Sequence, residues 1–129
     1  MAEQITVPTE RKLHDAVRFI RRSFHQRPTL DDIGQAVGLS SFHLHRVFTR
    51  RFGESPFQMV ARLQVEHAKA LLLRGVPAKE VAGRCGYATQ SHMTSRFRMA
   101  TGTTPARWLR GAGGLPAKRS RTGAMLRPA

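Results

Sequence analysis

Residues 40–51 read Ser40-Ser41-Phe42-His43-Leu44-His45-Arg46-Val47-Phe48-Thr49-Arg50-Arg51. Leu44, Val47, Phe48 and the following Phe52 recur at the spacing that lines one face of a helix, which leaves Phe42, His45, Arg46, Thr49 and Arg50 pointing away from the core. The outer face is cationic, aromatic and hydrogen-bonding. Ser40 is placed to cap the helix, after a Gly38-Leu39 turn. Upstream, Thr29-Leu30-Asp31-Asp32-Ile33-Gly34-Gln35-Ala36-Val37 reads as a second short helix, opened by a Thr-x-x-Asp capping signal. Two short helices joined by a glycine turn, the second with basic and hydrogen-bonding side chains outward, form a helix-turn-helix pattern. In that arrangement the second helix enters the major groove of DNA.

Working outward, residues 1–9 read as a short polar, flexible arm. From Glu10 to about His25, Leu13, Ala16, Val17, Phe19, Ile20 and Phe24 recur at helical spacing, and this helix is expected to complete the first core. Beyond Phe52, Gly53 closes one helix, and Ser55-Pro56 opens the next. That helix is expected over 56–74, apolar on two sides: Phe57, Val60, Ala61, Ala68, Leu71 and Leu72 on one, Met59, Leu63, Ala70 and Leu73 beside it. Such a helix joins two cores. Its roughly 19 residues at about 1.5 Å each give close to 29 Å, comparable with the roughly 34 to 36 Å between successive major-groove faces of DNA.

A second unit appears as an internal repeat. Ile33, Val37, Gly38 and Leu39 recur as Val81, Cys85, Gly86 and Tyr87, and Leu44, Phe48, Gly53, Ser55 and Pro56 recur as Met93, Phe97, Gly102, Thr104 and Pro105. One extra residue in the second turn, near Ala88, accounts for the change in offset. The second pair of helices is expected at about 78–84 and 89–100, with Gln90, Ser91, Thr94, Ser95 and Arg98 outward and Met93 and Phe97 in the core. Thr104-Pro105 starts a last short helix carrying Trp108 and Leu109. The expected architecture is therefore all-α: a first helix-turn-helix subdomain over 10–54, a linking helix over 55–75, a second subdomain over 76–110 and about seven helices in all. From Gly111 onward periodicity is lost, and a disordered basic tail is expected over 111–129.

The 129 residues hold 22 basic and 8 acidic side chains, a formal charge of +14. Every acid lies at or before Glu80, and 18 of the basic residues are arginine, which suits bidentate contact with phosphate or guanine. A chain so charged seeks a polyanion. The lone cysteine, Cys85, excludes an internal disulfide and fits a reducing cytosol. With no apolar leader and no stretch of membrane-spanning length, the expectation is a cytoplasmic, nucleoid-associated protein without membrane contact. The six histidines show no ligand spacing with cysteines or carboxylates, so no metal and no cofactor are expected. No catalytic constellation stands out. Cys85, matching apolar Val37 in the repeat, reads first as a core thiol, and a redox-sensing or alkyl-accepting role is the sharper alternative.

Arg46, central on the exposed face, is suited to guanine O6 and N7, or else to clamping a phosphate. Phe42 suits a thymine methyl, or packing at the core's rim. His45 can donate to a base or a phosphate, and Thr49, Arg50 and Arg51 are placed for the DNA backbone, which fixes register without reading sequence.

The order and spacing of Gly38-Leu39-Ser40 with Leu44-x-Arg46-x-Phe48, Phe52-Gly53-Glu54-Ser55-Pro56, Ala68-x-x-Leu71-Leu72, Gly86-Tyr87 with Gln90-Ser91-x-Met93, and Phe97-Arg98-x-x-x-Gly102-Thr103-Thr104-Pro105 resemble the DNA-binding domain of the AraC/XylS family of bacterial transcription regulators. The resemblance covers about residues 10–110 and is nearest to the single-domain members of the MarA/SoxS/Rob type. It implies a seven-helix protein that binds an asymmetric double-stranded DNA site as a monomer, with two recognition helices in successive major-groove segments, and that activates transcription through RNA polymerase. Two positions depart from the family pattern: Ser95 stands where arginine is common, and Met99 where a basic residue is frequent. A nonspecific architectural or nucleoid-coating protein is the competing function, and an enzyme using Cys85 a third.

Overall fold

The computed structural model describes residues 5–111, which form seven α-helices and one 3-10 turn. The first helix, α1 (Val7–Ser23), opens three residues before the point at which the apolar repeat begins. Thr6 supplies the reason: its hydroxyl accepts from the Thr9 N–H, and proline lies in the first helical turn, where a missing N–H costs nothing. The helix also ends earlier than the sequence predicts, because Phe24–Gln26 tighten into the 3-10 turn and Arg27 adopts a left-handed conformation with φ of 54°. Residues 7–9 of the expected arm are therefore helical, and Gly111, expected to begin the tail, is the last residue of a helix; residues 1–4 of that arm and 112–129 of that tail lie outside the described residues.

Next come α2 (Leu30–Val37) and α3 (Ser41–Phe52). The capping signal at Thr29 forms in full: the Thr29 N–H donates to Asp32 Oδ2 at 2.8 Å, and the Asp32 N–H donates to Thr29 Oγ1 at 3.0 Å. Ser40 caps α3 through the His43 N–H at 3.1 Å. The turn between the helices is tight. The Gly38 and Leu39 N–H groups both donate to the Gly34 carbonyl, at 2.8 and 2.9 Å. Gly38 sits at φ of 82°, and a Cβ on Gly34 would stand 2.5 Å from the Leu39 carbonyl oxygen, so neither position accepts a side chain without movement.

The fourth helix, α4 (Pro56–Leu73), is opened by a reciprocal pair of hydrogen bonds between Ser55 and Gln58. The described chain divides into two compact units between Leu63 and Gln64, inside this helix. In the first unit, Leu13, Ala16 and Ile20 of α1, Ile33 of α2, and Leu44, Val47 and Phe48 of α3 form a core with Met59, Val60 and Leu63. Three members of the expected apolar faces are corrected, and one of them, Ala70, is a small side chain left in solvent. Phe57 is 62% exposed, since Pro56 takes the buried place at the helix start, and Leu73, on the last turn, is also exposed.

The second unit adds α5 (Ala78–Arg84), α6 (Gln90–Thr101) and α7 (Pro105–Gly111). Val65, Ala68, Leu71 and Leu72 close a core with Val81, Ala82, Cys85, Tyr87, Met93 and Phe97, and Trp108 packs against it with its ring 5.7 Å from that of Phe97. Thr89 caps α6 through the His92 N–H at 2.9 Å. The repeat is visible in the backbone, because the Tyr87 N–H donates to the Ala82 carbonyl at 2.9 Å, as Leu39 does to Gly34.

Candidate nucleic-acid interface

The apolar stripe of α3 is buried, so its other face is forced outward. Phe42, His45, Arg46 and Arg50 are all exposed there, Phe42 to 71%. The Arg46 guanidinium carbon stands 4.9 Å from the centre of the Phe42 ring, one turn earlier on the helix. A planar cation held over an aromatic face keeps its donors directed and retains less rotamer freedom to lose on binding. Thr49 is half-buried. Its hydroxyl oxygen is enclosed and has no hydrogen-bond partner among the described residues, so an outward contact requires rotation about χ1.

Three contacts hold this helix from behind. Arg51 Nε lies 3.0 and 2.9 Å from the two carboxylate oxygens of Glu10, and its guanidinium also stands over the Phe52 ring at 5.0 Å. Arg51 is therefore bound to α1, a structural role that differs from the DNA-backbone contact expected of it. Glu10 also has His14 Nε2 at 2.8 Å, and the hydrogen bond to His14, followed by those to Arg51, holds the carboxyl below its ordinary range despite some desolvation. Ser41 Oγ donates to Asp31 at the start of α2, and Lys12 Nζ donates to the Gly38 carbonyl in the turn at 3.4 Å. The Glu10–Arg51 pair spans 41 positions, and no local spacing signals it.

On α6, Gln90, Ser91, Ser95 and Arg98 are exposed and Thr94 is half-buried, while Met93 and Phe97 are fully buried. Arg96 does not share the outer face. It is half-buried, with Nε 3.4 Å from His92 Nε2 one turn earlier. The His92 ring in turn lies edge-on to Tyr87 at 5.5 Å, and its Nδ1 accepts from the Ala88 N–H at 3.4 Å. Met99 is the outward residue whose weight the sequence understates, at 76% exposure beside Arg98. Of the ten residues expected on these two faces, eight are exposed, and Thr49 and Thr94 are half-buried.

A helix-turn-helix domain family matches residues 33–111, from within α2 to the end of α7, and so takes in both helical pairs. The chain belongs to the AraC/XylS family. Among AraC/XylS-type relatives, the uncharacterized HTH-type transcriptional regulator YbfI of Bacillus subtilis is 33% identical over 75 residues, which are 58% of this chain. The chain spans 27% of YbfI and between 25% and 51% of other relatives, among them the xylose operon regulatory protein of Escherichia coli and AdaA of Bacillus subtilis. An AraC-type transcriptional regulator from Chromobacterium violaceum superposes with a TM-score of 0.73 at 26% identity, covering 87% of this chain and 100% of that one. The DNA-binding domain of the global transcriptional factor AdpA, solved in complex with a target DNA, superposes with a TM-score of 0.69 at 25% identity, covering 77% of this chain and 90% of that one.

AraC/XylS proteins are DNA-binding transcription regulators. Cys85 is fully buried in the second core, its thiol pushed up to about 11 by desolvation, and its carbonyl accepts from Gln64 Nε2 at 3.0 Å. Among the described residues no three histidine, cysteine or carboxylate groups come together as metal ligands, and no helix is long and apolar enough to cross a membrane.

Proposed function

We propose that this AraC/XylS chain is a sequence-specific regulator that binds double-stranded DNA as a monomer, α3 and α6 each entering a major-groove segment of one asymmetric site. The observation that carries this reading is the outer face of α3, where Arg46 is held over Phe42 on a helix tied to its neighbours at both ends. A guanidinium presented in this way suits bidentate bonding to guanine O6 and N7, and the exposed Phe42 ring suits a thymine methyl. Arg50 and His45 flank it for phosphate. On α6 the equivalent of Arg46 is Ser95, so the first helix supplies most base discrimination, while Arg98 anchors phosphate and Gln90 and Ser91 add some readout. The family resemblance supports activation through RNA polymerase, in the cytoplasm.

Selecting bound sequences from random DNA tests this directly. The expected result is a fixed consensus, and in Arg46→Ala a loss of about 1 to 3 kcal/mol in specific binding with relaxed preference at one guanine. Saturation mutagenesis of the selected site should show sharper preference in the segment read by α3, and equal sharpness in both contradicts the division of labour. In vitro transcription from a promoter carrying that site separates activation from repression.

The charge of +14 supports a second reading, an architectural protein that coats DNA. The ratio of affinities for the selected site and for competitor DNA at one fixed salt concentration decides between them, a ratio near one favouring coating.

A further inference from the structure

We propose that Met99 is a specificity-determining residue of the second recognition helix and selects thymine by contact with its C5-methyl group. The proposal rests on the reading that α6 lies in a major groove. Met99 is the most exposed of the large apolar side chains among the described residues, at 76%. It follows Ser95 by one helical turn and Ser91 by two, which places it on the same outward face as Arg98, away from buried Met93 and Phe97.

The exposed residues one and two turns before it, Ser95 and Ser91, are short and polar, so the thioether projects beyond them, between the longer side chains of Arg96 and Arg98. A phosphate, the target suited to a basic side chain at this position, offers nothing to a thioether. The major-groove edges of the bases offer one apolar feature, the thymine methyl. An unbranched, polarizable side chain with three rotatable bonds can follow that methyl in a groove without strict geometry. The repeat places Met99 opposite Arg50, whereas the large exposed apolar residue of α3, Phe42, stands at the other end of its helix. The two helices therefore carry their apolar contacts at different depths along the groove, and the thymines they select occupy different positions within each half of the site.

The test uses the selected duplex with each thymine in turn replaced by uracil, which removes the methyl and leaves base pairing intact. Hydroxyl-radical footprinting first locates the protected segments. In the segment assigned to α6, one or two replacements should lower the affinity of the intact protein by about threefold to fivefold, the size expected for one buried methyl group. Met99→Ala should bind the thymine duplex more weakly by that factor and no longer distinguish thymine from uracil, while Met99→Leu should keep the distinction. Equal binding to thymine and uracil duplexes, discrimination retained in Met99→Ala, or a selected site with no fixed thymine in that segment overturns the proposal while two protected segments keep the underlying reading intact. A single protected segment removes that reading and this proposal with it.

Discussion

A sulfur atom with no exposed surface, in a thiol raised to about 11, is protonated and unreachable at neutral pH. At pH 8 only about 0.1% of such a group is thiolate by simple titration. Cys85 should therefore react with an aromatic disulfide reagent at pH 8 at least tenfold more slowly in the native protein than in denaturant. A native rate equal to the denatured one would return the alkyl-accepting reading to consideration. The repeat pointed to burial because valine occupies the matching place. Phe57 shows the converse: an apolar residue at helical spacing reads as core, yet a helical wheel carries no information about where the first turn meets its neighbours, and Pro56 fills the place instead. Thr49 is similar, since the spacing gives its face but not the rotamer that encloses its hydroxyl.

At the scale of the element, α3 depends on contacts made by α1. The Glu10 carboxylate accepts from Arg51 and lies beside His14, and these partners favour its charged form in the folded chain. A carboxyl whose folded pKa is depressed contributes stability that is fully present above its unfolded value, near 4.5, and is lost as pH falls through the lower folded value. Urea midpoints measured from pH 6 to pH 3 should therefore decline, and Glu10→Gln should flatten part of that decline while lowering the midpoint at pH 7. An unchanged pH profile in Glu10→Gln would show that the pair contributes nothing to folding. Three helix starts were legible in the sequence because caps are local: Thr29, Ser40 and Ser55 each lie three residues from the group they bind, whereas the equally local caps at Thr6 and Thr89 went unread. The Glu10–Arg51 pair was not legible, because it depends on how two distant helices pack.

Across the whole molecule, the duplicated pattern of apolar residues, glycines and caps identified the family, since period and order survive where single residues drift. Its two halves have diverged in their outer faces, cationic and aromatic on α3, short and polar with a projecting thioether on α6. The basic excess that accompanies them sets how binding responds to salt. A site neutralised by several arginines releases counterions, so the logarithm of affinity should fall linearly with the logarithm of salt concentration, by about 0.9 per phosphate contacted. Arg98→Ala, if it removes one phosphate contact, should reduce that slope by about one, and an unaltered slope would remove it from the anchoring set.

The duplicated turns have not kept the same freedom to vary. In the first, the carbonyl of Leu39 occupies the space a methyl group on residue 34 would need, whereas the second, longer by one residue, already carries alanine at the matching residue 82. Anyone grafting a new reading sequence between the copies must therefore move the loop together with the helix: the first hinge is a fixed joint that admits hydrogen alone, and the second has been fitted to a side chain.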